Sequence, residues 1–191
     1  MTDPHGSGAA LPDASRRALS ASRAELRREQ AALWLRRFAA NESLVVMAPT
    51  LEAAARMVRA AGGSSFGRQR TTLDRFAAAL ATLPLARRGL LLAAGTALEA
   101  VAARAVAAVK HELRHHREIA DRPGFPRALA RTLAELRLAG VAEAALAAES
   151  PELALLLTSY RSELAASGLC DRADALSEAV RAVDGGHALA G

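Results

Sequence analysis

The spacing of apolar residues along this chain alternates between two patterns. Across residues 15–40 it is helical, with Leu26, Leu33, Trp34 and Phe38 as the expected buried contacts among many arginines, and Asn41-Glu42 ends the segment. Leu44-Val45-Val46-Met47-Ala48 then runs apolar without a break, the pattern of a strand covered on both faces in a parallel sheet, and Pro49-Thr50 stops it. Residues 51–61 return to helical spacing through Leu51, Ala55 and Val58 and close at Gly62-Gly63. Residues 68–73 read as a second short strand, from which Thr72 or Asp74 leads into a helix ending near Leu83. A strand–helix–strand–helix order opens an open α/β sheet.

Beyond that point the pattern is helical. Leu98, Val101, Val106 and Val109 predict a helix over 96–116, and Asp121-Arg122-Pro123-Gly124 a turn. Phe125, Leu129, Leu133 and Leu136 share one face of a helix over 125–138, closed by Gly140. Ser150-Pro151-Glu152 combines an N-cap serine, a first-position proline and a first-turn acid, and the helix it starts ends at Gly168. Asp171 caps a last helix, which Gly185-Gly186 stops.

Composition sharpens this picture. Hydrophobic residues make up 51% but aromatics only 3%, so the core is Ala- and Leu-built and helix-dominated. The most apolar stretch, residues 89–98, is too short to span a bilayer, and residues 1–17 lack the apolar core of a secretory signal. With a single cysteine, Cys170, no disulfide framework is available, and a reducing, cytoplasmic location is expected. The net charge of +5 is unevenly placed: residues 41–90 carry seven arginines against three acids, residues 123–191 six against nine. That asymmetry suits a polyanion on one lobe or an ordinary charged surface.

Three strings carry candidate chemistry. His111-Glu112-Leu113-Arg114-His115 matches HExxH, whose two histidines one helical turn apart bind zinc, with Glu135 or Glu143 as a third ligand. Arg114 would set a cation beside that metal, so a solvated helix end is the preferred reading and no metal is expected. The turn Ala48-Pro49-Thr50 occupies the phosphate-binding position after a buried strand, but it has no glycine or lysine and is followed by Glu52. It is a degenerate nucleotide-binding turn, with Thr50 as a helix cap and no cofactor expected. Arg68, Arg70, Thr72 and Arg75, with Phe76, suit a nucleic-acid backbone at a strand-to-helix turn, or equally a capped helix with surface arginines and Phe76 in the core.

The order of LVVMAPTLEAAARMV (44–58), RTTLDRFAAALA (70–81), a helical stretch and YRSELAASGLCDRADAL (160–176) resembles the first core domain of UvrD-type superfamily 1 helicases. It resembles most the AddB-like helicase–nuclease proteins with a PD-(D/E)xK nuclease and a degenerate helicase half. Residues 123–141, PGFPRALARTLAELRLAGV, carry the most AddB-like part. Residues 72–76 fall where those helicases have TFHxL, with Asp74 replacing the His. Tyr160, Gly168, Leu169, Asp171 and Asp174 fall in their return segment, and Gln30 near an adenine-reading Gln. The chain ends before any Walker B strand or nuclease cluster, so it is expected to be an N-terminal piece or a truncated product.

The resemblance implies a degenerate helicase-like DNA-binding domain of a bacterial DNA-repair or recombination helicase–nuclease. Its own ATPase and nuclease residues would be lacking, and its partners would be single-stranded DNA or DNA ends and a partner subunit of the same machine. The expected fold is α/β and helix-dominated. A partial P-loop-like parallel sheet of two or few strands (residues 14–90) precedes a helical subdomain (91–184), with tails at 1–13 and 185–191. The rival readings are an all-helical interaction module and, last, an HExxH zinc hydrolase.

Overall fold

The computed structural model describes residues 20–39, 42–62 and 67–186. The expected tails, apart from Gly185 and Gly186, and the first residues of the expected helix over 15–40 lie outside the described residues. The chain divides into two compact units, Met1–Thr72 and Leu73–Gly191, where the sequence reading sets its boundary at 90.

In the first unit, helix α1 (Ala24–Leu35) precedes strand β1 (Leu44–Met47), helix α2 (Leu51–Ala61) and strand β2 (Arg68–Thr71). β1 and β2 pair in parallel, with Val46 opposite Arg70 and Met47 opposite Thr71. The α2 ends are local chemistry. The Thr50 hydroxyl accepts from the Ala53 N–H at 3.1 Å, and Gly62, at φ +69°, reverses the chain after the last turn.

Two expectations are corrected here. Leu26, Leu33 and Trp34 are exposed, and α1 instead packs through Ala32 and Leu35 on Ala54, Val58 and Ala61. Alanine lets the two helices approach closely, which the larger side chains would prevent. The Leu44–Met47 run is covered on one face only. Leu44 and Val46 join that core, while Val45 and Met47, alternating to the other side, are 40% and 42% exposed.

The second unit is helical around two interfaces. Helix α3 (Leu73–Arg87) packs along helix α8 (Arg172–Asp184) through Ala77, Leu80, Ala81, Ala175 and Ala179. This pairing of elements far apart in sequence moves the unit boundary to residue 72. It also carries α3 past Pro84 to Arg87, because Leu85 is buried beside Cys170. Helix α4 (Thr96–Val109) packs on helices α5 (Phe125–Leu138) and α7 (Pro151–Ala166), burying Val101, Leu133, Leu156 and Tyr160. A short helix α6 (Glu143–Glu149) joins α5 to α7.

Strands β3 (Leu91–Leu92) and β4 (Leu169–Cys170), which the apolar pattern did not predict, form a second parallel pair. The Leu91 N–H donates to the Gly168 carbonyl and the Ala93 N–H to Cys170, at 2.9 and 2.8 Å. Gly168 sits at φ +62°, and a Cβ there would stand 3.3 Å from the Gly89 carbonyl oxygen. The fold is thus α/β and helix-dominated, with two-stranded parallel sheets.

Candidate nucleic-acid interface

The four expected contact residues do not share one environment. Arg68 is buried, at 8% exposure, and its Nη1 donates to the Gly62 carbonyl at 3.1 Å. It braces the return from α2 into β2 and presents no guanidinium to a ligand, which corrects its assignment. Its Nε has no hydrogen-bond partner among the described residues. Arg70, two residues on, is exposed near the carboxyl end of β2. Thr72 is half-buried, closing the first unit, and the Thr71 hydroxyl donates to its carbonyl at 3.2 Å. Arg75 is exposed in the first turn of α3, in the second unit.

Asp74, in the place of the expected His, is engaged by Arg172 Nε at 2.6 Å. Phe76 packs beside Ala77, Leu80 and Ala179, so it belongs to the α3–α8 core and is not a stacking platform. At the degenerate turn, Ala48 donates to the Thr71 carbonyl and Thr50 caps α2. The Glu52 carboxylate, paired with Arg56 at 2.6 Å, adds negative charge to the same helix start.

The HExxH string does not lie on a helix. α4 stops at Val109, a single 3₁₀ turn covers Lys110–Glu112, and Leu113 is extended and buried. Zinc binding by His111 and His115 needs the one-turn spacing that this path removes. Among the described residues no group of three metal-ligating side chains converges.

The cause is Glu152, from the first turn of α7. Its carboxylate accepts the backbone N–H groups of Arg114, His115 and His116 at 2.7, 2.8 and 3.2 Å. The Nδ1 atoms of His115 and His116 lie 3.1 and 2.7 Å from the same group. The His115 N–H bond leads the causes that hold the Glu152 carboxyl below the usual carboxylate range. Ser150 occupies the N-cap position, as expected, but makes no side-chain cap bond.

A second polar cluster had no local signature. Arg137 on α5 reaches the start of α8, with Nε 2.7 Å from Asp171 Oδ2 and Nη2 2.8 Å from Asp174 Oδ1. Asp171 also caps α8 within a full capping box, the half of the cluster that the sequence does disclose. Nearby, the Tyr160 hydroxyl is buried without a hydrogen-bond partner among the described residues, and burial pushes its pKa up to about 12. Burial also pushes the Cys170 thiol up, which leaves it a poor nucleophile.

Charge separates between the units. Residues 20–72 hold nine arginines against four acids, whereas residues 73–186 hold fourteen cations against fourteen acids. A groove of about 910 Å³ lies in the basic unit, between α1, α2 and the carboxyl end of β1. No helix among the described residues is long and apolar enough to cross a membrane. No family model, curated protein or solved structure matches the chain.

Proposed function

We propose that this chain is a helicase-like DNA-binding domain of a bacterial repair or recombination helicase–nuclease, which contacts single-stranded DNA while other parts of the machine hydrolyse ATP and cut. The observation that carries the reading is the charge separation. The net +5 of residues 20–72 surrounds a parallel β1–α2–β2 unit, and residues 73–186 are neutral. Phosphates are attracted over longer range by such a unit than by one without net charge. The β1–α2–β2 unit is read as part of a P-loop-like sheet, whose ligands sit beyond the carboxyl ends of the strands. Arg70 stands near that edge, and Arg75 follows in sequence. The Ala48-Pro49-Thr50 turn offers no glycine-lined cradle, and its Thr50 hydroxyl is committed to α2. Nucleotide hydrolysis is therefore not assigned to it.

The test is binding of a labelled oligothymidine across a salt series. Arg70→Ala/Arg75→Ala should weaken binding and make the logarithmic salt slope shallower by up to about 1.4, or about 0.7 for each lost phosphate contact. Arg127→Ala/Arg131→Ala on α5, where both arginines are exposed, is the control. Equal weakening by both pairs would reduce the attraction to net charge. Absence of binding at about 50 mM salt would leave the chain an interaction module.

A further inference from the structure

The groove of the first unit has a composition that DNA contact does not use. Its apolar lining includes Ala32, Leu33, Val46 and Met57. Leu33 is 58% exposed, and among the described residues no aromatic ring lines the groove. Single-stranded nucleic acid binds by stacking bases on aromatic faces, and this lining offers none. A flexible methionine and an exposed leucine instead suit the side chains of another protein.

The rim supplies the sign of the charge. Arg28 and Arg36 on α1 and Arg56 and Arg59 on α2 line the groove, against Glu25 and Glu29. Arg36 donates to the Ala61 and Ala60 carbonyls at 2.7 and 3.1 Å, which fixes the two walls to one another. Arg28–Glu25 on α1 and Arg56–Glu52 on α2 are solvent-exposed pairs, each within its own helix, that water screens and that re-pair readily. The Arg59 carbonyl accepts the Gly62 N–H, but its side chain has no hydrogen bond or ion pair among the described residues. The α1 wall from Glu25 to Arg36 is about 16 Å long, or three helical turns.

We infer that this groove receives an acidic amphipathic helix of a partner protein, its apolar stripe on Leu33 and Met57 and its carboxylates toward Arg56 and Arg59. This mode of recognition lays an apolar stripe into a groove and lets charge set orientation. The inference goes beyond the DNA-binding reading and does not rest on it.

The probe is a labelled synthetic helix of about 15 residues, with leucine on one face and glutamate on the other. With the full chain it should bind with a Kd of roughly tens of micromolar. Arg56→Glu/Arg59→Glu and, separately, Leu33→Asp should each weaken it about tenfold or more. The same peptide with lysine for glutamate should bind at least about tenfold more weakly. Because the three substituted residues are exposed, circular dichroism should be unchanged. No binding of the glutamate peptide, or binding indifferent to both variants, would overturn the proposal. So would an oligothymidine whose affinity falls in Leu33→Asp as far as the peptide's, since the groove would then serve nucleic acid. A parent chain that binds no glutamate peptide but keeps Arg70-dependent DNA binding would sink this inference and leave the proposed function standing.

Discussion

Arg137 Nε stands 2.7 Å from Asp171 Oδ2, joining a guanidinium near the end of α5 to the carboxylate that starts α8. Asp171 is 2% exposed and also accepts the N–H groups of Ala173 and Asp174, so one side chain both caps a helix and binds another. Burial lowers the Arg137 pKa, but the Asp171 and Asp174 carboxylates outweigh it and the net shift is upward.

Removing one partner of such a pair leaves a buried charge without compensation. Arg137→Ala should therefore destabilise the second unit by about 3–5 kcal/mol, seen as a lower urea midpoint. A loss below about 1 kcal/mol, the range of an exposed pair, would show that solvent already reaches Asp171.

Tyr160 gives the opposite expectation. Its ring fills the α4–α7 core while its hydroxyl is buried without a partner among the described residues. Tyr160→Phe removes an unsatisfied group and keeps the ring, so stability should be unchanged or raised by up to about 1 kcal/mol. A clear loss in the urea midpoint would mean that the hydroxyl is bonded in solution.

Glu152 sets the pH dependence. Its carboxyl is held below its unfolded value, so its stabilising contribution is complete above about pH 4.5 and is lost progressively as pH falls. Glu112, Arg114 and Glu149 share the same hollow with the two histidines. Urea midpoints measured downward from pH 5 should fall less steeply in Glu152→Gln than in the parent chain. Parallel curves would remove the clasp from the acid response.

Arg68 and Arg70 should separate stability from binding. Arg68→Ala deletes the donor to the Gly62 carbonyl and should cost roughly 1–2 kcal/mol, with the DNA salt slope unchanged. Arg70→Ala should leave the urea midpoint within about 0.5 kcal/mol and weaken DNA binding. The reverse pattern would restore Arg68 to the interface.

The sequence by itself determined what depends on neighbours within a few residues. Thr50 and Gly62 bound α2, and Asp171 starts α8, because capping groups act within one turn. The α5 face of Leu129 and Leu133 followed from period alone. Tertiary structure decided the rest. The two-residue strands β3 and β4 have no local driving force and form because residues 91 and 169 meet. The helix expected to reach residue 116 ends at Val109, where Glu152, remote in sequence, satisfies the backbone N–H groups of residues 114–116. Arg68 reads as a surface cation in any window of sequence, and only the return from α2 into β2 buries it. Ala32 and Leu35, not Leu26, Leu33 or Trp34, form the α1 side of the interface with α2, a choice set by the partner helix and not by α1.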